Sequence, residues 1–184
     1  MARESGEDSF AVDAAHMAAI VELPENQPEW NLKALELAEG STDPRAGKWK
    51  GSLYNNIGWT FFESNEYDKA LDMFQKALRF RQEQGQTREV RIAQWCLAKT
   101  LRVLNRTHEA LEIQRMLRED CYKVGERSGH VYEELGECLI ALGRVGEARS
   151  FLAIAYEELA KDSSLVENEP ARLVRLKELG KTEL

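Results

Sequence analysis

Apolar residues recur at three- and four-residue spacing along most of the chain, interrupted by short clusters of Gly, Pro, Asn and Ser. Phe10, Ala14, Met17 and Val21 predict a helix over 9–22, with Asp8 or Ser9 placed to cap its first turn. Pro24 and Pro28 bracket a break. Pro28 falls in the first turn of a second helix, whose apolar side is Trp30, Ala34, Leu37 and Ala38 and which Gly40 ends. The Ser-Thr-Asp-Pro run at 41–44 opens the next helix: Thr42 or Asp43 caps it, and Pro44 stands where no amide donor is needed. That helix is expected to reach about Glu63.

A turn at 64–66 leads into a helix with Ala70, Leu71, Phe74, Ala77 and Leu78 on one face, stopped by Gly85. Thr87 offers a cap for 88–104, with Val90, Leu97, Leu101 and Leu104 as the periodic set, and a turn at 105–107 starts the antiparallel return over 108–123. Gly125 and Ser128 punctuate the entry to 126–142, Gly143 ends it, and 145–161 come back with Ala148, Leu152, Ala155 and Leu159 facing inward. After a polar stretch at 161–164, Pro170 opens a short last helix with Leu173, Leu176 and Leu179 on one side, closed by Gly180. No alternating β-branched run of useful length is present, so the fold class is all-α.

Three of these hairpins align without gaps. Tyr54, Ile57, Gly58, Phe61, Ala70, Phe74 and Ala77 superpose on Gln94, Leu97, Ala98, Leu101, Ala110, Gln114 and Leu117, and again on Tyr132, Leu135, Gly136, Leu139, Ala148, Leu152 and Ala155. Small residues on both helices let two backbones approach, while large ones fill the space between neighbouring hairpins. The pattern resembles the tetratricopeptide repeat, in which a large residue, two spacers, Leu-Gly, two spacers and Tyr on the first helix precede Ala, three spacers and an aromatic on the second. The middle copy departs from it, with Gln94, Ala98 and Gln114 in place of the large, glycine and aromatic types. Successive copies are 40 and 38 residues apart, against about 34 in the usual repeat, so the extra residues are expected to lengthen the helices.

The resemblance implies a right-handed α-solenoid of antiparallel hairpins. Residues 1–8 would form a flexible tail and 9–180 a single domain, with 9–39 a degenerate leading hairpin, 44–85, 88–123 and 126–161 the repeats, and 169–180 a capping helix over the last apolar face.

Charge and cysteine content narrow the function classes. The net charge of −7 argues against nucleic acid as partner. It hides a contrast, however: over 44–118 Lys and Arg outnumber Asp and Glu 14 to 8, whereas 1–43 is strongly acidic. No apolar run approaches the length of a membrane span, and the amino terminus has no signal-peptide core, so a cytoplasmic protein without a membrane partner is expected. Cys96, Cys121 and Cys138 include no closely spaced pair and read as buried thiols.

In the resembling family the first helix of each hairpin lines a concave groove. Carried over residue by residue, that places Asn55, Asn56, Trp59 and Phe62 from the first copy, Arg88, Arg91, Trp95, Lys99 and Arg102 from the second, and His130 from the third in the groove. Paired amides suit an extended backbone, tryptophans offer flat contact area, and the basic residues favour acidic groups. The expected function is therefore a non-catalytic interaction module for a protein or peptide segment with acidic and apolar residues. A sensor that changes conformation on binding is the first alternative, and a metal-dependent enzyme centred on His130 is a less favoured second one. Homo-oligomerisation stays open. The Lys and Asn clamp with which some family members hold a carboxyl terminus is not reproduced, the corresponding positions being Asn55, Trp59, Cys96, His130 and Glu134. His130, Glu133, Glu134 and Glu137 share a helical face at ligating offsets, but no second ligating helix accompanies them. No phosphate loop, nucleophile elbow or Cys/His pairing is present, so neither a metal, a cofactor nor an enzyme is expected.

Overall fold

The computed structural model describes residues 7–23 and 26–181. Eleven helices occur among them and no strand: α1 (Glu7–Val21), α2 (Gln27–Gly40), α3 (Pro44–Gly47), α4 (Lys50–Glu63), α5 (Tyr67–Glu83), α6 (Thr87–Val103), α7 (Thr107–Lys123), α8 (Gly129–Ala141), α9 (Val145–Leu159), α10 (Ser163–Asn168) and α11 (Pro170–Leu179). The chain divides into two compact units, Met1–Ala93 and Gln94–Leu184, with α6 running through the division.

The turns carry the repeat. Asn65, Asn105 and Gly143 occupy equivalent positions after three of the helices and all have positive φ, at 61°, 61° and 74°. Left-handed backbone there lets the next amide bond back five residues: Glu66 to Phe61 O at 2.8 Å, Arg106 to Leu101 O at 2.9 Å and Arg144 to Leu139 O at 2.8 Å. Gly85 and Gly125 end α5 and α7 in the same conformation, at 65° and 75°. Glycine is favoured at all of these sites because a Cβ there crowds the following carbonyl, and asparagine is the side chain that tolerates it best.

Within the first unit α4 packs on α5, α1 on α2, and α2 on α4. Val12, Ala15, Ala34, Leu35, Ala38, Ala46, Leu53 and Ile57 form one core, flanked by Trp30, Leu37, Trp49, Tyr54, Phe61 and Met73. Two sequence expectations are corrected, the tail boundary and the length of the helix opened by Asp43. Residues Glu7 and Asp8, expected in a flexible tail, already belong to α1, and the remainder of that tail lies outside the described residues, as does Pro24. The buried stripe of α1 is Val12, Ala15 and Ala19, whereas Phe10, Met17 and Val21 are exposed. Close packing on α2 selects the face with the smallest side chains, which leaves the bulkier residues outside. The helix opened by Asp43 does not run unbroken to Glu63: α3 ends after one turn at Gly47, and α4 starts at Lys50. Asp43 is the cap, its Oδ1 accepting from the Arg45 amide at 2.9 Å, and hydrogen bonding to Arg45 holds its carboxyl below the ordinary value. Pro28 and Pro44 stand in first turns, as the sequence predicts.

In the second unit α8 packs on α9 and α7, and α11, with Leu173 and Leu176 buried, lies on α9. Short α10, with Asp162 as its cap, is an element the polar stretch at 161–164 did not announce. Cys96, Cys121 and Cys138 are free and buried. Burial, with Glu134 and Glu137 nearby, pushes the Cys138 thiol up to about 12.

Gly136 shows what the small positions do. A Cβ built on it would lie 2.4 Å from Leu152 Cδ2 and 2.5 Å from Leu152 Cγ, and Leu152 is 1% exposed, with no room to retreat. Alanine gains up to about 1 kcal/mol over glycine in helix propensity, but overpacking costs about 1–3 kcal/mol, and the clash is severe enough to win. Gly136→Ala is therefore expected to lower the denaturation midpoint. Gly146→Ala, where a Cβ meets nothing within 4 Å, is expected to raise stability by about 0.5 kcal/mol. Equal shifts for the two would contradict the packing.

Gln114 stands where the other two copies carry Phe74 and Leu152. It is 0% exposed, and neither of its amide atoms has a hydrogen-bond partner among the described residues. Because an unpaired buried amide costs about 1–3 kcal/mol, Gln114→Met, of similar length and flexibility, is expected to stabilise the protein by about 1–2 kcal/mol in urea titrations.

Candidate interaction surface

On α4 the buried side is Leu53, Ile57 and Gly58, while Asn55, Asn56, Trp59 and Phe62 are half-buried. The Trp59 ring stands edge-on to Phe74 of the core at 5.4 Å and edge-on to Phe62 at 5.3 Å, and Phe62 in turn meets Tyr67 at 5.2 Å. Trp59 is therefore anchored from beneath and still reaches the surface. Asn56, Trp59 and Glu63 of α4 also face a cavity of about 370 Å³, whose other walls come from α1 and α2. Arg88, exposed, and Arg91, half-buried, occupy the first turns of α6.

In the second unit the Trp95 indole N–H donates to the His130 carbonyl at 3.1 Å, and the two rings meet edge-on at 5.5 Å. Lys99 Nζ lies 5.1 Å from the centre of the Trp95 ring, a cation–π contact. Both basic residues of this group have a carboxylate. Glu134, 1% exposed, accepts from Arg102 Nε at 2.8 Å and Nη2 at 3.0 Å, and Lys99 Nζ stands 3.5 Å away. Burial opposes the Arg102 charge, but Glu134 more than offsets it and holds the guanidinium pKa above its ordinary value.

The acidic face of α8 is filled from α11 in the same manner. Arg172 Nε donates to Glu133 Oε1 at 2.9 Å, its Nη2 lies 3.2 Å from His130 Nδ1, and Arg175 Nη2 donates to Glu137 at 3.1 Å. Burial first, then the neighbouring Arg172 charge, lowers the His130 pKa, and since a guanidinium can only donate, Nδ1 is the acceptor in the contact with Arg172. The helical spacing of His130, Glu133, Glu134 and Glu137 thus serves ion pairs with arginines 32 to 42 residues away in sequence. No group of three or more His, Cys, Asp or Glu side chains among the described residues is arranged to hold a metal.

Sequence reasoning did not reach Gln27, Asn31 and Thr60, which share the cavity with Asn56 and Trp59. A signal was present: Gln27 and Asn31, four apart, put amides on a helix whose remaining inward positions are apolar.

The tetratricopeptide repeat family model matches residues 52–84. No curated protein matches the sequence. Among solved structures, the nearly identical tetratricopeptide-like repeats of a kinesin-light-chain-like protein from Podosopora anserina superpose with a TM-score of 0.65 at 13% identity, over 97% of this chain and 89% of theirs. MamA from Desulfovibrio magneticus RS-1, residues 41 to the end, gives 0.60 at 13% identity over 95% and 96%. YrrB, described as a tetratricopeptide-repeat protein with an unusual peptide-binding site, gives 0.56 at 21% identity over 96% and 87%. At these identities the likeness is one of fold. No helix among the described residues is long and apolar enough to cross a membrane.

Proposed function

From a chain that carries a tetratricopeptide repeat at 52–84 and has the fold of tetratricopeptide-like repeat proteins, we propose a non-catalytic interaction module that takes up an extended protein or peptide segment along α4. The observation that supports this is the division of that helix. Ile57 and Gly58 are spent on packing, whereas Asn55, Asn56, Trp59 and Phe62 remain half-buried with two side-chain amides beside two anchored aromatic rings. A rigid aromatic supplies contact area at little entropic cost, and adjacent amides pair with the donors and acceptors of a main chain.

The partner would have apolar side chains for Trp59 and Phe62. Acidic groups in it would find Arg88 and Arg91 in the same unit. Trp95, Lys99, Arg102 and His130 form a separate patch in the second unit, one offering aromatic contact more than charge, because Glu134 already neutralises its cations. The known peptide-binding site of YrrB, a protein of like fold, supports the class of ligand.

Selection from a displayed peptide library, followed by calorimetry of the chosen peptides, tests the reading. Trp59→Ala with Asn56→Ala is expected to weaken binding at least tenfold while the helical circular-dichroism signal is kept. Undiminished affinity in the folded variant would remove α4 as the site.

A further inference from the structure

The cavity walled by α1, α2 and α4 is lined in part by Gln27, Asn31 and Thr60, three polar side chains whose donors are engaged elsewhere. Asn31 Nδ2 donates to the Gln27 carbonyl at 3.2 Å, which fixes the orientation of the amide and turns its Oδ1 away from that bond. Asn31 is 8% exposed, and this Oδ1 is buried with no partner among the described residues. Gln27 repeats the arrangement: its Nε2 donates to the Glu22 carbonyl at 3.0 Å, leaving Oε1. The Thr60 hydroxyl gives its proton to the Asn56 carbonyl at 3.2 Å, leaving lone pairs. His16 Nδ1 is also buried without a partner, its ring held 4.8 Å from that of Trp49, and in the tautomer protonated at Nε2 it adds a further acceptor. Glu63 supplies a negative charge at the wall, and the Trp59 ring an aromatic face.

A buried acceptor without a donor costs about 1–3 kcal/mol, and Asn31 Oδ1 and His16 Nδ1 are two such acceptors on residues that line an open cavity of about 370 Å³, beside the Glu63 carboxylate. A carboxylate would meet Glu63 and several oxygens, and an aliphatic group would leave every acceptor unpaired. A group with several N–H donors and a positive charge satisfies the oxygens, pairs with Glu63 and lies against Trp59. We propose that this cavity is a binding site for a guanidinium or ammonium group, a lysine or arginine side chain of the segment carried along α4. The proposal rests on the peptide-binding reading for the source of that side chain, but the chemistry of the pocket stands apart from it. Acidic residues of a ligand would have to lie elsewhere.

The full chain, labelled with ¹⁵N, is titrated with four probes: a capped pentapeptide with one arginine among alanines, its lysine and citrulline counterparts, and free arginine. The arginine or lysine peptide is expected to shift the side-chain amide signals of Asn31 and Asn56 and the Trp59 indole saturably. Citrulline, neutral but of the same shape, should bind at least tenfold more weakly, and Glu63→Gln and Asn31→Leu should each weaken the cation at least tenfold. Tighter binding of the peptide than of free arginine supports a peptide side chain as the occupant, and equal binding supports a free guanidinium compound in the same pocket. Absence of saturable shifts from both cationic peptides in the folded protein, or citrulline binding as well as arginine, overturns the site. If display-selected peptides still bind at Trp59 and Phe62 in that event, the pocket fails while the interaction module stands; if they too leave these residues unshifted, both fail.

Discussion

Phe74→Ala is expected to lower stability by about 3–5 kcal/mol, the range for truncating a buried aromatic ring. Phe74 is 0% exposed, and it fills the space left by Gly58, whose Cβ, if present, would stand 2.5 Å from Phe74 Cε1. The ring also seats Trp59. Two further consequences separate this account from generic core loss. Gly58→Ala, costly in the native background, should be partly tolerated once Phe74 is truncated, giving a coupling of about 0.5–3 kcal/mol in a double-mutant cycle. Peptide affinity should fall in the truncated protein while it is still folded, because Trp59 loses its support. Simple additivity of the two changes would mean that Gly58 and Phe74 do not share one space.

Glu134→Gln is the second substitution expected to have a large effect. Glu134 is 1% exposed and accepts twice from Arg102 with Lys99 alongside, so removing its charge leaves two cations facing each other with no carboxylate between them. Breaking a buried pair costs about 3–5 kcal/mol. The cationic side chains are 21% and 24% exposed, so water relieves part of the strain and about 3 kcal/mol is expected. Replacing Glu134 and Arg102 together by methionine should recover most of that loss, since a hydrophobic pair of similar volume often matches a buried ion pair. Urea denaturation of the single and double variants checks both statements.

What was legible in the sequence was local. The turns at 64–66 and 105–107, the stops at Gly85 and Gly143 and the cap at Asp43 follow from backbone sterics and capping acting within a few residues, and the structure has turns and a cap at those places. The buried stripe of α1 is not legible from periodicity, which ranks Phe10 and Met17 by hydrophobicity, whereas packing on α2 prefers Ala15 and Ala19 for their size. Charge was the least legible property. Lys99 and Arg102 read as cations awaiting a ligand because Glu134, which neutralises them, lies more than thirty positions away in the chain and two helices on. Asn31 stayed hidden for a related reason: an amide on an apolar helix gains meaning only when it is seen to line a cavity with its oxygen unpaired.

The central claim, that α4 presents the binding surface, is tested most directly by mapping the chemical shifts of the ¹⁵N-labelled protein with a display-selected peptide bound. The largest changes are predicted at Asn55, Asn56, Trp59 and Phe62, with those residues shifting together at one affinity. A footprint confined to α5, α7 or α9, with the α4 signals unmoved, would contradict it.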